Sequence, residues 1–160
     1  MAGHNHASSI FVPDKEKEMT LTLNQARTIA DACIKKSREL RLKPLSVIIL
    51  DPRASIVAAL SEDGVSQMRA SIAFGKAKAA IALGMGTRAI MKRAEQQAYF
   101  IQSINGVAKG DLVPVPGGVL IRDSSGALLG AVGISGDTSD NDEIAAVNGI
   151  TAAGLAPETG

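Results

Sequence analysis

Three groups of residues in this chain have the types and spacing to do chemistry. Lys76 stands four residues after Ile72, beside the apolar side of a helical pattern. A lysine so placed can bind an anion or, once desolvated, serve as a base or a Schiff-base amine. The plainer alternative is a surface lysine whose stem covers apolar side chains. The second group is Pro116-Gly117-Gly118. Proline fixes φ and the glycines let the chain turn sharply, so consecutive N–H groups can face a carboxylate or phosphate. The third group opens at Gly136 and Asp137 and continues through Thr138-Ser139-Asp140-Asn141-Asp142-Glu143. Asp137, Asp140, Asp142 and Glu143 have the carboxylates for a divalent cation, but the loop glycine and terminal glutamate of a calcium loop are missing. Capping the start of a helix is the better reading of this cluster.

What is absent narrows the chemistry further. The two histidines are His4 and His6, a His-x-His pair near the N-terminus and a weak metal-binding candidate. No histidine follows, so Ser/His/Asp and Cys/His arrangements are excluded from the rest of the chain. Cys33 is the single cysteine, falls inside a helical pattern and reads as a small buried hydrophobe. No disulfide can form within the chain.

With 160 residues and 46% hydrophobic content, the chain suits one domain with a real core. Aromatic residues make up only 2%, so that core is built from Ala, Ile, Leu and Val, and base-stacking recognition of nucleic acid is not expected. A net charge of +1 gives no general pull toward polyanions or anionic membranes. No apolar run approaches the roughly 18 residues of a membrane span. The N-terminal stretch lacks a basic region followed by an apolar one, so a cytoplasmic protein is expected.

The elements that position these groups follow from periodicity. Residues 1–19 are polar and aperiodic and read as a flexible arm, residues 20–156 as one domain and 157–160 as a tail. Thr22 and Gln25 form a capping box for a first helix reaching Leu40. Leu45–Leu50 and Ser55–Ser61 read as antiparallel strands around Asp51-Pro52-Arg53-Ala54. A helix over 67–83 carries Met68, Ile72, Ala73, Ala77 and Ala80 inward, and a second, capped by Thr87, runs to about 104 with Arg88, Lys92, Arg93 and Glu95 in water. Leu112–Val115 is a short edge segment. Val119–Asp123 and Leu128–Ser135 make a hairpin, and a last helix covers about 140–153. The result is an α+β fold with an antiparallel sheet covered by helices. Exposed sheet edges and Ala/Gly-rich helix faces point to a homo-oligomer.

Several of these stretches together resemble a known family. PGG with Ile121 following, GAVGISG over Gly130–Gly136, the acidic helix start, LTLNQA over Leu21–Ala26, EDG at Glu62–Gly64 and SIAFGKA over Ser71–Ala77 are similar to the GlcG/HbpS family, related to the C-terminal domain of PduO-type proteins. The resemblance covers Leu21 to Leu155. It implies a profilin-like sheet of about five strands in α/β/α layers, and a small-molecule ligand that is an organic anion or a haem-like tetrapyrrole. Haem is possible under it but not required. Its iron would need Met68, Met85, Met91 or Tyr99, or a histidine of the arm, although the methionines read more simply as core or interface filler. The pocket implied lies between Pro116-Gly117-Gly118, Gly136-Asp137 and the Lys76 helix, with Met68 nearby. Arg53 and Leu120 depart from the family pattern. The alternative function is a cofactor-independent enzyme of small organic or aromatic acid catabolism with Lys76 as its acid, base or electrophile.

Overall fold

The computed structural model describes residues 20–160. The arm over 1–19, with His4 and His6, lies outside the described residues. Five helices and five strands follow in the order α1 (Leu23–Glu39), β1 (Ser46–Leu50), β2 (Ile56–Ser61), α2 (Arg69–Leu83), α3 (Thr87–Gln96), α4 (Ala98–Val107), β3 (Gly118–Arg122), β4 (Leu128–Ser135), α5 (Ser139–Ala152) and β5 (Ala156–Glu158). The strands form one antiparallel sheet in the order β2-β1-β4-β3-β5.

Helices cover both faces of that sheet, and for this reason β1 is buried throughout and reads as apolar from Val47 to Leu50. Val47 and Ile49 pack with Val119, Ile121, Val132 and Ile134 beneath α1 and α5. Ile48 and Leu50 meet Ala73, Ala77 and Ala80 of α2 on the other face. Contact between α2 and the sheet is very close because β4 carries Gly133: a Cβ there would overlap the Ala73 carbonyl oxygen. Small residues therefore set the layer spacing in place of aromatic ones.

Local signals explain most element ends. Thr22 Oγ1 accepts the Gln25 N–H at 3.1 Å and Gln25 Oε1 accepts the Thr22 N–H at 2.9 Å, so both halves of the capping box are made. α2 stops at Gly84, whose φ is 66°. Thr138 accepts the Asn141 N–H to begin α5.

Three segments differ from the sequence expectations in their secondary structure, and Arg88, expected in water, instead pairs with Asp140 and Glu143. The helix expected over 87–104 is broken at Gln97, where φ is −139° and ψ 60°. The break turns Ile101 onto Ala79, Ile90 and Leu112, leaves Ala98 exposed, and sets the Arg93 guanidinium 3.8 Å from the Phe100 ring centre. The segment 112–115 is not a strand; it crosses α2, where the Val113 N–H donates to the Gly75 carbonyl. The tail expected over 157–160 begins inside the sheet, because Leu120, Ile121 and Arg122 of β3 pair with Glu158, Pro157 and Ala156. An edge position tolerates the missing N–H of Pro157. Among the described residues, no helix is long and apolar enough to cross a membrane.

Candidate functional site

The Pro116-Gly117-Gly118 turn, the Gly136-Asp137 segment and the α2 lysine do converge, and the lysine itself fills the junction. Lys76 is 2% exposed. Its Nζ donates to the Ile134 carbonyl at 2.9 Å and to Asp142 Oδ2 at 3.0 Å. Asp142 is 1% exposed, and its second oxygen accepts the Asp137 N–H at 3.0 Å. Burial pulls the Lys76 amine below its ordinary value and pushes the Asp142 carboxyl up, while the charge of each partner opposes the other's shift. Lys76 is thus no surface lysine; its ammonium ties α2 to β4 and α5.

The glycine turn is closed around the same lysine. Gly117 has φ 118°, and a Cβ there would lie 2.9 Å from Lys76 Nζ. The Gly118 N–H, which the sequence offers to an anion, donates to Thr87 Oγ1 at 2.8 Å, and the Thr87 hydroxyl returns a bond to the Gly118 carbonyl. Thr87 therefore fastens β3 to α3 instead of capping α3 from its N-cap position, which Gly86 occupies. Pro116 is buried immediately before the turn.

The acidic cluster is consumed locally. The Asp137 carboxylate accepts from the Lys43 and Thr138 N–H groups and from Asn141 Nδ2, which lowers its pKa to about 2. Asp140 and Glu143 both take the Arg88 guanidinium. Among the described residues no group of three or more His, Cys, Asp or Glu side chains could hold a metal ion.

Open space lies on either side of the start of α2. A groove of about 500 Å³ is lined by Ile48, Ile56, Ile72, Phe74 and Val113, with Met68 at its rim and 62% exposed. A cleft of about 170 Å³ is lined by Lys43, Pro44, Ser66, Arg69 and Gly136. A further groove, about 610 Å³, lies between α1 and β2, but its Arg38 and Glu39 are already paired with Glu62 and Lys36. Of the residues singled out in the sequence, Met68 reaches the apolar groove, Gly136 reaches the small cleft, and Lys76, Gly117, Gly118 and Asp137 lie at the buried junction. Tyr99 is 70% exposed, and Met85 packs against the cluster of Ala79, Ile90, Ile101 and Leu112. Ile56, Phe74, Lys43 and Arg69 were missed. Met68 and Ile72, one turn apart, were the signal available for the apolar groove.

Residues 21–151 match the family model described as haem degrading protein HbpS-like. The chain belongs to the HbpS-like family. Solved structures similar to it include PduOC in complex with haem, with TM-score 0.77 and 21% identity, covering 85% of this chain and 96% of that one. The Klebsiella pneumoniae protein ORFY gives TM-score 0.76 and 21% identity over 96% of this chain and 98% of its own. Streptomyces reticuli HbpS, as a double mutant, gives 0.70 and 21% over 94% of each chain. At such identities the likeness is one of fold. No curated protein matches this HbpS-like chain in sequence.

Proposed function

We propose that this chain is a small-molecule binding protein whose ligand is a haem-like tetrapyrrole, seated by its apolar face in the groove between β1, β2, α2 and the 110–113 loop. The observation that carries this reading is the groove itself: about 500 Å³, lined mainly by aliphatic residues and Phe74, with an accessible thioether at its rim. Membership of the HbpS-like family and the haem complex of the structural neighbour PduOC support the same ligand class.

The residues fit a tetrapyrrole better than they fit strong iron ligation. Ile48, Ile56, Ile72, Phe74 and Val113 would exclude water from a flat apolar face. Met68 is the one soft donor lining the groove, and thioether sulfur is an accepted axial ligand of haem iron. Bound haem would supply a redox-active iron; the chain's contribution is to hold and shield the macrocycle. An organic anion without an apolar body would leave the groove unused. The enzyme alternative built on Lys76 draws no support from an amine that is 2% exposed. We further propose a homo-oligomer, supported by the exposed Leu60 on the edge strand β2, and a cytoplasmic location.

Titration of the full chain with haemin tests this. Binding is expected without the spectrum of bis-histidine ligation, and Met68→Leu should shift the Soret band while keeping most of the affinity. A sharp six-coordinate spectrum unaffected by Met68→Leu, but lost in a chain lacking residues 1–9, would move the site to the histidine arm.

A further inference from the structure

The cleft at the first turn of α2 has a chemistry that the apolar groove does not use. Its charged side chains are Lys43 and Arg69, and no acidic side chain lines it. Neither cation takes part in an ion pair among the described residues. The Arg69 guanidinium is aimed by neutral groups alone: Nε donates to Ser66 Oγ at 3.3 Å and Nη1 to the buried Ser135 Oγ at 3.2 Å. Two hydroxyls hold the planar fork in place, yet neither cancels its charge, and Nη2 makes no hydrogen bond among the described residues.

Lys43 is fixed in a different way. Its backbone N–H donates to Asp137 Oδ2 at 2.9 Å while its side chain stays exposed. The nearby Asp137 carboxylate accepts that N–H and donors from Thr138 and Asn141; it stays ionised and attracts the Lys43 ammonium from beside the cleft, but it does not line it and makes no ion pair with either cation. α2 begins here with Met68 at the N-cap and no side-chain cap, so the positive end of the helix adds to both cations. At about 170 Å³ the cleft admits a few heavy atoms and excludes a macrocycle.

We propose that this cleft binds a small oxyanion, a carboxylate or inorganic phosphate, held between the Lys43 ammonium and the Arg69 guanidinium against Ser66 and Gly136. The site is separate from the apolar groove, although Met68 and Arg69 are successive residues that face one each. The oxyanion places its oxygens on the free Arg69 donors and on the lysine, and the walls formed by Pro44 and Gly136 bound its size. Nothing in this site depends on haem.

The test is amide NMR of the full chain, titrated with sodium acetate and, separately, with sodium phosphate at constant ionic strength against a chloride control. Saturable shifts confined to Gly64, Ser66, Arg69 and Gly136 are expected with at least one anion. Acetate saturation assigns carboxylate chemistry, and saturation by phosphate alone assigns phosphate. Lys43→Met, an exposed change that leaves the fold alone, should weaken binding about ten-fold, the scale of one charge-assisted hydrogen bond. Arg69→Lys, which keeps the charge but loses the fork, should weaken it similarly. Shifts that never saturate with either anion, or affinities unchanged in both variants, overturn the proposal.

Discussion

Lys76 and Asp142, separated by 66 residues in the chain, form an ion pair of 3.0 Å in which the side chains are 2% and 1% exposed. The pair joins the helix on one face of the sheet to the helix on the other, through the β3–β4 end where Gly117 leaves room for the ammonium. Desolvating two charges cancels much of their attraction, so the pair fixes geometry more than it adds net stability. Losing one partner is another matter, since the survivor stays buried and uncompensated.

Lys76→Met should therefore destabilise the fold by about 3–5 kcal/mol, as should Asp142→Leu, which also strips the Asp137 N–H of its acceptor. The double variant should recover part of the loss. Urea unfolding of all four proteins as a double-mutant cycle measures this. Single variants that unfold with the wild type would show that the pair is not sealed from water.

The sequence carried the parts of this architecture that depend on neighbours along the chain. Thr22 with Gln25 announces α1, and the two apolar runs flanking residues 124–126 mark the hairpin of β3 and β4. The pairing of Lys76 with Asp142 was invisible because 66 residues separate them and each has a local reading, one as a basic residue beside an apolar stripe and the other as a first-turn acid. Thr87 was misjudged for the same reason: its hydroxyl answers Gly118 across the fold and not its own helix. The break at Gln97 reflects tertiary packing of Ile101, which periodicity along one helix does not contain. β5 is three residues long and includes a proline, too little signal to separate it from a tail.

Gly133→Ala places a methyl group inside the Ala73 carbonyl and 2.9 Å from Ala77 Cβ, so α2 must lift from the sheet. The cost should be about 3 kcal/mol or more. Gly126→Ala is the comparison, because that glycine has φ 85° with nothing within 4 Å, and only backbone strain of about 1–2 kcal/mol remains. Thermal unfolding should rank Gly133→Ala well below Gly126→Ala. Equal melting points would mean that close approach of helix and sheet is not what requires Gly133.

Asp137 makes stability depend on acid in a defined window. Its pKa falls from 3.8 to about 2 on folding, because Asn141, Lys43 and Thr138 donate to the carboxylate. A depressed folded value means that the contribution is complete above the unfolded value and is lost as pH drops from 3.8 toward about 2. The difference in unfolding free energy between wild type and Asp137→Asn should be constant near neutrality and shrink across that window. A difference that grows on acidification would contradict the hydrogen-bond set around Asp137.

The apolar groove gives the most direct measurement of all, because iron-free protoporphyrin separates seating of the macrocycle from ligation of the metal. Ser71 is an exposed residue that lines the groove, so Ser71→Trp occludes it without touching the core. Fluorescence titration of wild type and Ser71→Trp should show protoporphyrin and haemin binding the wild type with affinities within about ten-fold, and both weakened at least ten-fold in the variant, about 1.4 kcal/mol. Affinities unchanged in a folded Ser71→Trp protein, or haemin binding with no protoporphyrin binding at all, would contradict a tetrapyrrole seated in the groove between β1, β2 and α2.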